Sequence, residues 1–167
     1  GLVDPTVLVV NTFGAPSPDA DIIAAAGTTV FGNGDVSGNL EVPGTLAPGS
    51  SAIAGSIGTF NVTGDADLSG STVQIDIAAT AGTTSNDLIN VTGTVDVSSA
   101  TLSPNFVGDE FFDGQTFLVL DATNPIVGTF TNQASAFALP DNPFLQAVED
   151  VTLGADDFGF LIEDNGN

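Results

Sequence analysis

Apolar and polar residues alternate with period two in short runs along this chain. Thr72-Val73-Gln74-Ile75-Asp76-Ile77 and Thr94-Val95-Asp96-Val97 each set Val or Ile on one face and polar groups on the other. Alternation over four to eight residues predicts strands with one buried face, and the Gly, Asn, Asp and Ser clusters between the runs predict tight turns. Strand-like segments are also expected at both ends. One lies at about 3–13, around Val7 to Val10, and the other at about 158–163, where Phe158, Phe160 and Ile162 share a face. Two segments read instead as short helices. Ser17 would cap a helix starting at Pro18, with Asp19 and Asp21 in its first turn and Gly27 just past its end. Asn142-Pro143 would start a second, with Phe144, Leu145, Val148 and Val151 on one face.

The runs recur. Phe60 to Ser69 and Ile89 to Ser98 align residue for residue, 29 positions apart, around the shared core Asn-Val-Thr-Gly. A looser third copy opens at Phe31. A repeat of this length made of short strands and turns predicts a β-solenoid. At about 29 residues per coil the chain would supply roughly six coils. With neighbouring strands about 4.8 Å apart, the stack would be about 30 Å long. No low-complexity linker interrupts it, so residues 1–167 are expected to form one all-β domain.

From about Gly44 to Phe130 the pattern is more specific. It runs through Gly44-Thr45-Leu46-Ala47-Pro48-Gly49, Ile57-Gly58-Thr59-Phe60-Asn61-Val62-Thr63-Gly64-Asp65 and Asp87-Leu88-Ile89-Asn90-Val91-Thr92-Gly93. It then continues through Gly114-Gln115-Thr116-Phe117-Leu118-Val119-Leu120 and Gly128-Thr129-Phe130. This stretch resembles the passenger β-helix of bacterial autotransporters and related surface proteins. The resemblance implies a right-handed parallel β-helix on the outside of a bacterium. It carries no catalytic residue across, because the matching positions are scaffold.

Composition narrows the chemistry. The 167 residues include no Lys, Arg, His, Cys, Met, Trp or Tyr, and 21 Asp and Glu give a net charge of −21. Charged residues make up 13% of the chain, against roughly 25% in an ordinary domain. The acids are therefore at about their usual level and the bases are missing. Without bases no internal salt bridge can form, and every carboxylate must be solvated, hydrogen-bonded or bound to a cation. Nucleic acid is excluded as a partner because its affinity comes from Lys and Arg on phosphates, and an anionic membrane surface is disfavoured on the same ground. No apolar run approaches a membrane span, and any export signal is read as already removed. The missing residues also remove trypsin sites and the usual oxidation targets, which suits a durable extracellular material.

The acids offer two chemistries. Asp65 with Asp67, Asp109 with Glu110, and Asp156 with Asp157 are carboxylate pairs of the kind a glycosidase needs. Such a site would normally hold its sugar with the residue types this chain lacks, so no catalytic residue is assigned. Calcium is the better use, since hard cations take carboxylate and carbonyl oxygens. Asp65, Asp67 and Asp96 fall on corresponding parts of two repeats and are the expected Ca2+ ligands. Asn61-Val62-Thr63 and Asn90-Val91-Thr92 are also glycosylation acceptor motifs. Taken together, these features predict a non-enzymatic structural subunit of an extracellular bacterial filament, sheath or surface layer. It would assemble with itself through solenoid ends and terminal strands, with cations or extracellular polysaccharide as further partners. The alternative is a surface adhesin displaying a carbohydrate- or protein-binding face.

Overall fold

A computed structural model of the chain describes residues 7–9, 21–49, 55–80 and 82–166. After β1 (Val7–Val9) come β2 (Ile22–Ile23), β3 (Thr29–Gly32) and β4 (Gly34–Val36). The next three are β5 (Leu40–Glu41), β6 (Thr45–Pro48) and β7 (Thr59–Val62). Then follow β8 (Ala66–Asp67), β9 (Thr72–Thr80), a hairpin partner β10 (Thr83–Asn86) and β11 (Leu88–Val91). A last set, β12 (Val95–Asp96), β13 (Thr101–Val107) and β14 (Thr116–Ala122), precedes β15 (Phe137–Leu139), β16 (Asn142–Glu149) and β17 (Asp157–Asp164).

These strands form three sheets. Sheet I runs β1-β3-β6-β9, with β13 and β10 both on β9; sheet II runs β2-β5-β8-β12; sheet III runs β4-β7-β11-β14-β17-β16-β15. From β2 to β14 the chain visits sheets II, I and III in that order four times, each time one strand further along. All strand-to-strand pairings between these circuits are parallel. The 29-residue repeat is the length of the circuit from β7 to β11 alone, where Thr59 pairs with Leu88, Ala66 with Val95, and Thr72 with Thr101. Earlier circuits are shorter, with Leu40 beside Ala66 and Ile22 beside Leu40. The looser copy at Phe31 is out of register. Gly34, not Phe31, lies beside Phe60, and Phe31 belongs to sheet I.

Alternation places one face of every strand inside. Val30, Leu46, Val73 and Leu102 form one buried column in sheet I, and Phe60, Ile89 and Leu120 form another in sheet III. Each such side chain contributes about 1.5–3 kcal/mol by leaving water. Phenylalanines close the C-terminal end of this core. Phe111, Phe106, Phe160 and Phe158 are linked edge to face, and Phe117, Phe130 and Phe137 pack onto them. Phe112, next to Phe111 in the chain, is exposed.

Two expectations are corrected. Among the described residues there is no helix. Residues 142–149 are the antiparallel strand β16, in which Ala147 is buried and Phe144 is exposed. The spacing of Phe144, Leu145, Val148 and Val151 is helical, but Val151 is 81% exposed and the set forms no core face. Residues 22–27 form a short strand and a turn, and the Ser17–Ala20 start of the other expected helix lies outside the described residues. The six-coil expectation also fails. After β14 the chain turns back as β17, β16 and β15, extending sheet III by antiparallel pairing instead of adding circuits.

This return covers the last rung. Val127 takes the N–H of Val97 and gives its own to Val95 on sheet II. On sheet I, Asn132 accepts the N–H of Leu102 at 2.9 Å and donates to its carbonyl at 2.9 Å. Thr101 donates its N–H to Ser71 on the preceding rung, so backbone alternation points the main-chain polar groups of Leu102, Pro104 and Phe106 toward the outer edge. The Leu102 and Phe106 side chains stay buried. Proline has no N–H to offer there, so Pro104 and Asn132 together blunt this edge.

Candidate functional site: the corners between rungs

At the corner between sheets III and II, one side chain per circuit reaches to the next. Asp21 accepts the N–H of Asn39 at 2.7 Å, Asn39 accepts that of Asp65 at 2.8 Å, and Asp65 accepts that of Thr94 at 2.8 Å. The sequence written at this corner is Val36-Ser37-Gly38-Asn39, then Val62-Thr63-Gly64-Asp65, then Val91-Thr92-Gly93-Thr94. Its glycines are required by close approach. A Cβ on Gly64 would lie 2.3 Å from the Asn39 side-chain oxygen, and one on Gly93 would lie 2.3 Å from that of Asp65. Thr94 has no carbonyl oxygen on its side chain, so the ladder stops there. Asn33, which accepts the N–H of Thr59 at 2.8 Å, makes the same kind of link on the way from sheet I to sheet III.

Sheet III carries a second ladder on its outer face. Asn61 donates to Asp35 at 2.7 Å and Asn90 donates to Asn61 at 2.8 Å. The side-chain nitrogens of both glycosylation motifs are therefore engaged between rungs.

The three expected calcium ligands lie near one another but do not converge. Asp67 and Asp96 are register partners on adjacent strands, with Glu41 one strand before them. Asp67 accepts the N–H of Ser69 at 2.9 Å and Asp96 that of Ser98 at 2.8 Å, each closing its own turn. The hydroxyl and amide of Ser98 hold the Asp96 carboxyl below the ordinary Asp range. Asp65 is turned to Thr94. Among the described residues no group of three or more acids is arranged to hold a metal ion, so the Asp65, Asp67 and Asp96 set is not assembled. What remains is an acidic stripe beside a shallow depression of about 240 Å3, lined by Asp21, Asn39, Glu41, Asp65 and Asp67 with Ile22 and Ile23.

The other carboxylate pairs also serve the backbone or repel one another. Glu110 accepts the N–H of Gly82. The Asp157 carboxyl is raised by burial first, then by Asp121 and Asp156, and Asp121 is its cross-strand partner.

Sequence reasoning missed the buried acids Asp76 and Asp87. β6 covers only the first two residues of β9, and β10 covers its end. Asp76 lies between them. Its N–H is taken by Asp87 at 2.8 Å, and the other Asp87 oxygen takes the N–H of Gly58 at 2.7 Å. Asp76 in turn accepts from Asn105 at 2.6 Å and from the N–H of Gly55 at 3.1 Å. Burial pushes the Asp87 carboxyl up to about 7, against the lowering effect of the two amides. Period-two alternation marks Asp76 as an outward position, and nothing in the sequence signals the gap that Asp87 fills.

Compared with known proteins, the chain matches no family model, and no curated relative is significantly similar to it. No helix among the described residues is long and apolar enough to cross a membrane.

Proposed function

We propose that the chain is a right-handed parallel β-helix of the kind found in autotransporter passengers, and that it is a non-enzymatic structural subunit of an extracellular bacterial filament, sheath or surface layer. The observation that carries this reading is where the polar side chains point. Asn33, Asn39, Asp65, Asn61, Asn90 and Asn132 all hydrogen-bond from one rung to the next. They hold a stack together, and among the described residues no group of three or more acids is arranged to hold a metal ion.

The joint between subunits is best placed on sheet III. Its edge strands, β4 at one end and β15 at the other, have no further strand partner among the described residues. A contact between these two different edges is head-to-tail and propagates into a filament. The strands expected at the termini are already in use, since β1 pairs with β3 and β17 lies between β14 and β16. Negative-stain electron microscopy of the purified protein, with and without calcium and salt, tests the reading. Filaments or sheets are expected, and monodisperse single particles in every condition would overturn it.

A second reading has its own support. The guarded C-terminal edges and the acidic depression suit a display module of an adhesin, with a carbohydrate or protein partner. That module would stay monomeric and give glycan-array or pull-down hits that disappear on Glu41→Gln with Asp67→Asn.

A further inference from the structure

The segment from Gly55 to Gly58 is attached in an unusual way. The N–H groups of Gly55 and Gly58 are held by two buried carboxylates, those of Asp76 and Asp87, and the Gly58 carbonyl accepts the N–H of Leu88 in β11. Asp87 is 1% exposed and Asp76 is 5% exposed. A chain without Lys, Arg or His supplies no positive partner for either. We propose that Asp87 is a proton-operated clasp, which holds the Gly55–Gly58 strap on the body of the fold when protonated and loosens it when ionised.

The groups around Asp87 are few. From β9 the charged group facing it is Asp76, whose negative charge disfavours a second one nearby. The strap contributes the backbone N–H of Gly58. The adjacent Asn86 is neutral and donates to the carbonyls of Asp87 and Leu118. Asn105, from β13, is neutral and donates to Asp76. Burial dominates, which is why the Asp87 carboxyl stands at about 7 rather than the ordinary 3.8.

The sign follows from linkage. When the strap opens, Asp87 meets water and returns toward its ordinary value. The closed form then binds more protons than the open form between about pH 4 and 7. Its advantage is full below pH 4 and is lost as pH rises through 7. Few other side chains titrate there, because His, Cys, Lys and Tyr are absent and ordinary Asp and Glu are ionised above about pH 5. The clasp therefore acts in a nearly silent window and holds whether or not the subunit assembles.

Two measurements on the intact chain test it. Carbon-13 NMR titration of the wild-type carboxyl groups is expected to show an Asp signal with its midpoint near 7. A full set of midpoints below 5 would overturn the proposal. Hydrogen exchange at the Gly58 amide, corrected for the intrinsic rate, is expected to lose protection by up to about tenfold per pH unit between 4 and 7. A protection factor independent of pH would overturn it. In Asp87→Asn, which cannot ionise, the pH dependence should vanish, and a slope equal to wild type would also refute the clasp. Should that variant not fold, the wild-type titration alone decides.

Discussion

At Asn39 and Asp65, one circuit apart, an amide oxygen and a carboxylate oxygen each accept the N–H of the next rung at 2.8 Å. The geometry needs an acceptor and is indifferent to its charge. Asp65→Asn should therefore melt within about 0.5 kcal/mol of wild type, while Asp65→Ala should lose about 1 kcal/mol by stranding the Thr94 amide. Thermal melts of the two variants separate this role from metal binding, for which the loss of charge in Asp65→Asn would itself be costly in calcium. Ser71 makes the opposite case. Its hydroxyl is the buried side-chain polar group without a hydrogen-bond partner among the described residues. One circuit on, the same inward position is Ala100, since Thr72 pairs with Thr101. Ser71→Ala should stabilise the protein by about 1 kcal/mol in denaturant titration, and a loss of similar size would show that the hydroxyl has a partner after all.

Among the elements, those that repeat were legible and those that end the repeat were not. The strands around Phe60 and Ile89 announce themselves through alternation and the 29-residue offset, and they pair at that offset. Phe158, Phe160 and Ile162 likewise read as one face of a strand and are buried. The Asn142–Glu149 segment misled because helical spacing of four apolar residues arose without a core to face. Pairing with β17 on one side and β15 on the other decides its conformation, and both partners are settled by tertiary contact. The candidate site was half legible. Asp67 and Asp96 do lie on adjacent rungs, but the hydrogen bonds that turn each carboxylate to its own backbone depend on corner geometry. Asn132 was invisible for the same reason, because a side chain that imitates a strand leaves no periodic trace. Replacing it tests the edge guard. Asn132→Ala should cost about 1–2 kcal/mol and, by freeing the Leu102 N–H and carbonyl, raise concentration-dependent light scattering. Unchanged stability and scattering would show the guard to be incidental.

For the molecule as a whole, stacking works against charge. Glu41, Asp67 and Asp96 stand in register on successive strands of sheet II, where like charges destabilise one another. The whole chain carries −21 with no base to offset it. Joining subunits brings such stripes end to end, and the repulsion is screened over roughly 10 Å at 0.1 M salt. Assembly is therefore expected to strengthen with ionic strength and further with divalent cations, which would associate with the stripe as a diffuse counterion layer and not through a three-acid site. The most direct test of the structural-subunit account is sedimentation velocity on the purified protein over a hundredfold range of concentration, in low salt, in 0.5 M sodium chloride and with millimolar calcium. Species heavier than the monomer that grow with concentration and salt are expected, and a constant monomer mass across the whole range would refute self-assembly.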